Sequence, residues 1–199
     1  MGSKDRIQRL KDDTRTNILV AALKIVKEES WQALSMRKIA DQIEYTAPII
    51  YEYFANKEAL LLELTRTGFL ILSDDVQEAR DKYSEPAMQL EAMWLAYWNF
   101  AFRKKELYQL MYGVDVNCCE MARILPESEL YADMISGVIQ QIMTPPIPTE
   151  DEVCIKYYTF WSVIHGLISI NMVRKNTSDE TNQEVLKTAI TGIIRSLKT

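Results

Sequence analysis

The sequence predicts an all-α protein with a small N-terminal head and a larger helical body. Three observations carry this. Apolar residues recur at i, i+4 and i+7 along the chain, the spacing of a helix face. No alternating run reads as a strand. Gly and Pro number only six each in 199 residues, which disfavours β folds built on many tight turns.

The elements follow in order. Ile18, Ala22 and Ile25, flanked by Leu19 and Val26, form one face of a first helix that Ser30 and Trp31 end. Ser35 is suited to cap a short second helix carrying Met36, Ile39, Ala40 and Ile43. Thr46 caps a third, with Ala47 and Pro48 in its first turn, where a missing N–H costs nothing. Asn56 caps a fourth, running from Lys57 towards Arg80. Ser84-Glu85-Pro86 opens a fifth, rich in aromatic residues, and shorter pieces are expected over 104–113 and 116–124. Another helix spans 127–143, before Pro145, Pro146 and Pro148 interrupt the chain. Thr149 and Glu152 have capping-box spacing at the head of a helix from about 150 to 175. Thr177 and Glu180 repeat that spacing before a last helix ending near Leu197. The expected division is residues 1–56 as head and 57–199 as body.

Composition narrows the function. Apolar residues make up 48% of the chain, enough for a sizeable core. No run reaches the roughly 18 uninterrupted apolar residues of a membrane span, and no secretion signal opens the chain. The expectation is therefore a cytoplasmic protein with no membrane partner. Three cysteines without framework spacing and a single histidine argue against a disulfide scaffold or a zinc site. No Gly-rich phosphate loop or nucleophile elbow is present. Neither catalysis, cofactor nor metal is expected. Charge is unevenly spread: residues 1–57 hold ten Lys/Arg against eight Asp/Glu, while the rest hold thirteen against twenty. A mildly basic head on an acidic body suits a protein that touches phosphates at one end.

Ser35 to Phe54 has the layout of a helix-turn-helix: two short helices and a tight turn in about 20 residues. The run that follows reads Tyr51, Tyr53-Phe54, Lys57-Glu58 and Leu60. Together with Ile39-Ala40 and Thr46, this pattern resembles the TetR family of repressors over Arg15 to Leu60. The resemblance implies a DNA-binding head and a body that dimerises and holds a small ligand. The residue chemistry agrees with it. Ser35, Thr46, Tyr51 and Tyr53 offer hydroxyls and Lys57 a cation, all suited to phosphate oxygens. Arg37, Tyr45, Ala47, Pro48 and Ile49 are the candidates for base edges, with Pro48 and Ile49 placed for thymine methyls. The family's turn glycine is replaced by Glu44, where a left-handed backbone would cost about 1 kcal/mol. Glu52, on the recognition helix, would repel phosphate unless it faces solvent.

In the body, Trp94, Tyr97, Trp98, Phe102, Tyr108, Met111, Tyr112 and His165 are candidates to line a cavity for a small hydrophobic or aromatic effector. The acidic body is compatible with a lipophilic cation. Trp161, Ile164, Ile168, Ile190 and Ile194 are candidates for a homodimer interface built from the last two helices, and Gly166 would permit close helix approach. Trp161, His165 and Gly166 also resemble a Trp-His-Gly variety of the family's C-terminal domain. The function expected is a ligand-responsive repressor on a palindromic operator, with double-stranded DNA as partner. Its alternative is a helical ligand-binding or protein-interaction module that does not bind DNA, a reading that Glu44, Glu52 and the small head charge keep open.

Overall fold

The computed structural model describes residues 3–113, 125–173 and 179–198. Regular structure in these residues is entirely helical. We number the helices α1 (Ser3–Glu28), α2 (Met36–Gln42), α3 (Ala47–Tyr53), α4 (Lys57–Asp81), α5 (Pro86–Arg103), α6 (Lys105–Tyr112), α7 (Glu127–Met143), α8 (Glu150–Val173) and α9 (Asp179–Ser196). The helical piece expected over 116–124 lies outside the described residues, as does Thr177.

Two compact units divide the chain. The first comprises Met1–Gly68 with Glu106–Ile124, the second Phe69–Lys105 with Leu125–Thr199. The dividing point thus falls inside α4, not at its start, and α6 groups with the head.

The first unit is built around α1. Ile18, Ala22 and Ile25 are buried, with Ala21 and Val26 beside them, against Ile39 and Ala40 of α2 and Ile50 of α3. Ser35 caps α2, its hydroxyl accepting from Lys38 N at 3.2 Å. Asn56 caps α4, its Oδ1 accepting from Ala59 N at 2.8 Å. α1 starts earlier than its apolar face requires: residues 4–13 are helical yet fully on the surface. Good helix formers and the absence of Gly or Pro suffice to extend it. Gly68 on α4 faces α6, where a Cβ would come within 2.5 Å of Met111 Sδ and 3.5 Å of Leu107 Cβ. Glycine here allows the two helices their close approach.

In the second unit α5 packs on α7, α8 and α9, and α8 packs on both α7 and α9. Its core is aromatic: Trp94, Tyr97, Phe100 and Phe160 are completely buried. The Thr149–Glu152 capping box forms as expected. Thr149 N donates to Glu152 Oε2 at 2.8 Å, and Glu152 N donates to Thr149 Oγ1 at 3.3 Å. The Thr149 N–H, and the Thr149 hydroxyl donating to the same Oε2 at 2.9 Å, hold the Glu152 carboxyl below its ordinary pKa.

Candidate nucleic-acid interface

α2, the turn and α3 present one polar edge. Ile39, Ala40 and Ile50 face inward, and the two helices are held by a tight turn in which Ala40 O accepts from Tyr45 N at 2.9 Å. Glu44 takes φ 59° there, a left-handed conformation at the position where the family carries glycine; the sequence left open whether Glu44 alters this turn. A Cβ in that region is strained by roughly 1–2 kcal/mol. Glu44→Gly is therefore expected to raise stability by about 1 kcal/mol, which thermal unfolding would register as a few degrees. An unchanged or lower melting temperature would count against strain at this turn.

Most of the residues expected to face DNA lie on the surface. Ser35, Arg37, Tyr45, Thr46, Pro48 and Tyr51 are exposed, and Ala47, Ile49 and Tyr53 are half-buried. Thr46 occupies the N-cap position of α3 without using its hydroxyl for capping, and the residue is exposed. The Tyr51 and Tyr53 hydroxyls have no partner within the described residues. Glu52 is exposed one turn after Pro48, on the same side of α3.

The frame behind this edge is tied by cations. Arg15 on α1 reaches Glu63 on α4 at 3.0 Å and lies 4.8 Å over the ring of Phe54, the C-cap of α3. Lys38 pairs with Glu29 at 2.5 Å.

Lys57 is placed differently from its expected role. Its ammonium donates to Leu34 O at 2.8 Å and Trp31 O at 3.3 Å. It bends back to satisfy the carbonyls of the loop before α2 instead of standing out towards solvent. The sequence could not reveal this, because the acceptors lie 23 and 26 residues away. Hydrogen bonds to a charged group contribute about 1.5–3 kcal/mol. Lys57→Met should thus destabilise the fold by about 2 kcal/mol, read in a denaturant titration. A variant of unchanged stability, whose DNA salt slope alone falls by about one, would restore Lys57 to the phosphate contacts.

Comparison with known proteins agrees with this geometry. Residues 18–64 match the family described as bacterial regulatory proteins, tetR family. Residues 90–192 match the tetracyclin repressor-like C-terminal domain, slightly more than half of the chain by itself. The chain belongs to the TetR family. It is a TetR-type transcriptional regulator, with an N-terminal helix-turn-helix and a helical C-terminal body. It is 26% identical over 115 residues to the HTH-type transcriptional activator FasR of Mycolicibacterium smegmatis, a match covering 57% of this chain and 52% of that protein. This TetR-family chain thus matches about half the length of that relative. Among solved structures, a Rhodococcus sp. RHA1 protein of unknown function matches with a TM-score of 0.78 at 19% identity. It covers 93% of this chain and 95% of its own. FadR from Bacillus subtilis, solved with stearoyl-CoA, matches with a TM-score of 0.72 at 16% identity. That match covers 89% of this chain and 98% of FadR.

In this TetR-family chain the residues expected around an effector fall into separate groups. Trp94 and Tyr97 lie in the aromatic core of the second unit, with Tyr131, Tyr157 and Phe160. Trp98 and Phe102 lie against each other at 4.8 Å with their rings tilted by 51°, and Phe102 is exposed. Tyr108, Met111 and Tyr112 are on α6 in the first unit, the first two buried. His165 is half-buried and stacked flat on Trp161 at 4.8 Å, and burial holds its pKa below the ordinary histidine value. Trp161 in turn donates its Nε1–H to the Tyr97 hydroxyl at 3.1 Å.

The stripe expected to form a dimer contact turns out to be internal. Ile164, Ile168 and Ile190 have no exposed surface, and Ile194 has very little. They are core between α8, α9 and their neighbours in the same chain. The uncovered face of α8 carries Ile155, Val163, Ile170 and Val173, and that of α9 carries Val185. Gly166 and Gly192 lie on these faces, with nothing among the described residues within 4 Å of an added Cβ. Sequence reasoning missed this face because α8 is apolar on both sides.

Proposed function

We propose that this chain is a ligand-responsive repressor that binds a palindromic operator as a homodimer and leaves it when a small effector binds. The observation that carries the reading is the exposed edge of α2 and α3. Hydroxyls at Thr46, Tyr51 and Tyr53 flank Arg37 and the apolar pair Pro48 and Ile49, on a helix with a single buried side chain. Phosphate contacts from the hydroxyls set register, and the apolar pair and Arg37 read the major groove. Base-reading by Pro48 and Ile49 favours thymine methyls.

Operators for two-fold proteins carry half-sites about one helical turn apart or a multiple of it. A dimer through the uncovered faces of α8 and α9 supplies the second head. α8 supports this, since it is long and apolar enough by composition to cross a membrane, yet only 28% of its most apolar window is buried within the chain. A second copy covers that surplus, and no membrane partner is needed. FadR, a protein of this fold, was solved with stearoyl-CoA, whose long acyl chain supports an effector with an apolar part. Ligand and DNA favour different conformations, so each lowers the affinity of the other by one coupling factor. Helix α4, continuous from Lys57 to Asp81, is the lever. On this reading the protein is not an enzyme and works in the cytoplasm.

Selection of bound fragments from random DNA by the purified protein tests the proposal. A palindromic motif that competes over random duplex by at least a hundred-fold is expected. Binding without any motif would reject it. Activation is the second reading, favoured by the FasR match. Transcription in vitro from a promoter carrying the selected motif separates the two by the sign of the effect.

A further inference from the structure

The core of the second unit holds a polar group without a partner. Trp94 on α5 is fully buried, and among the described residues its Nε1–H has no hydrogen-bond partner. Its ring stacks on Phe160 at 5.4 Å and meets the edge of Tyr97 at 5.6 Å, with Tyr157 at 6.0 Å. The neighbouring tyrosines are engaged elsewhere. The Tyr97 hydroxyl accepts from Trp161, and the Tyr157 hydroxyl donates to that of Tyr131 at 3.3 Å. A buried donor left unmet costs about 1–3 kcal/mol, and native interiors rarely leave one so. An indole N–H can only donate, so the missing partner is an acceptor.

The surroundings also select its charge. Among the described residues the buried polar side chains are Thr65, Ser73 and Asn182, with no buried Lys, Arg, Asp or Glu. An ion entering such a core would lose its hydration with no opposite charge to replace it. The acidic surface of the body can draw cations near, but it does not solvate one at Trp94.

We infer that Trp94 donates a hydrogen bond to the effector, and that the effector presents an uncharged acceptor oxygen, as an ester or ketone does. This rests on the effector reading above. Since Trp94 has no exposed surface, the ligand reaches it by parting the rings of Phe160 and Tyr157, a minor-state pocket that binding makes dominant.

Three probes of one chain length test the inference: methyl decanoate, decanoate and decylammonium, each below its micelle concentration. Binding is followed on protein labelled with 15N at the indoles of its four tryptophans. Methyl decanoate is expected to move the Trp94 indole resonance and to bind at least ten-fold more tightly than either ion. Trp94→Phe, which removes only the donor and part of the ring, should weaken it about ten-fold, as the loss of one buried hydrogen bond implies. An unmoved Trp94 resonance in the wild-type protein overturns the inference even if the variant fails to fold. So do equal affinity in Trp94→Phe, binding of an ion as tight as that of the ester, or binding of none of the three. A compound that releases the wild-type protein from its operator while leaving the Trp94 resonance in place would preserve the effector reading and reject this one.

Discussion

Gly166→Arg is expected to turn a dimer into a folded monomer that has lost operator binding. Gly166 sits on the outer face of α8 between Ser162 and Ser169, one turn to either side, flanked by Val163 and Ile170. Among the described residues nothing in the same chain lies within 4 Å of a Cβ at this position, so a longer side chain can leave the helix here without meeting its own core. Replacing a mid-helix glycine even favours the helix by about 0.5–1 kcal/mol. A partner helix crossing at this point, however, would meet a long charged side chain in the centre of an apolar contact. Sedimentation should therefore give the 23.1 kDa of one chain where the unmodified protein gives twice that. Linking two heads raises affinity by about 10²–10⁴ over one, so operator affinity should fall by that factor. Ile168→Ala is the contrasting variant. Ile168 is fully buried in its own chain, and losing it should cost about 2–5 kcal/mol of stability without a matching effect on dimerisation. A dimeric Gly166→Arg of full affinity would move the interface off this face.

The same pair of residues shows what the sequence made legible. Local chemistry was readable from the sequence. Ser35, Asn56 and the Thr149–Glu152 box each act within three residues of themselves, so spacing alone identifies them. The positive φ of Glu44 was only half legible: the resemblance puts a glycine at that turn position, but a glutamate there left the turn's conformation open. The order Tyr51, Tyr53, Lys57 identified the family because it sits on a short stretch of consecutive local structure. Choices between two equally apolar faces were not legible. Ile164 and Ile168 alternate with Val163 and Ile170 along α8, and only the packing of α5, α7 and α9 decides which row is internal. Hydropathy by itself gives α8 no preferred side.

Long-range polar contacts were hidden for a related reason. Lys57 carries the charge and the spacing of a phosphate ligand, yet the Leu34 and Trp31 carbonyls come near it only after the head folds. The grouping of Tyr108 and Met111 with the head follows from Gly68, whose missing side chain leaves room for α6. In sequence they read as a continuation of the aromatic run on α5. The candidate site is thus clearest where its residues are adjacent, and obscured where distant helices assemble it.

Tyr51→Phe combined with Tyr53→Phe should weaken binding to every DNA sequence while leaving the preference for the operator intact. Both rings remain, and neither hydroxyl has a protein partner within the described residues, so stability should change by less than about 0.5 kcal/mol. Each hydroxyl facing a phosphate is a hydrogen bond to a charged group worth about 1.5–3 kcal/mol. Removing two should therefore cost about 3 kcal/mol or more, at least a hundred-fold in affinity. Neutral donors release few counterions, so the slope of affinity against salt should stay nearly constant. Arg37→Ala gives the opposite pattern if its guanidinium reaches a base edge. About 1–3 kcal/mol of discrimination would disappear, with random duplex much less affected. Titrations on operator and random duplex at several salt concentrations separate the two. Should the double phenylalanine variant bind both duplexes as the unmodified protein does, these hydroxyls do not touch phosphate, and the exposed edge of α3 has to be docked differently. Should it lose the operator alone, the tyrosines read bases, and Pro48 and Ile49 are no longer sufficient to account for sequence preference.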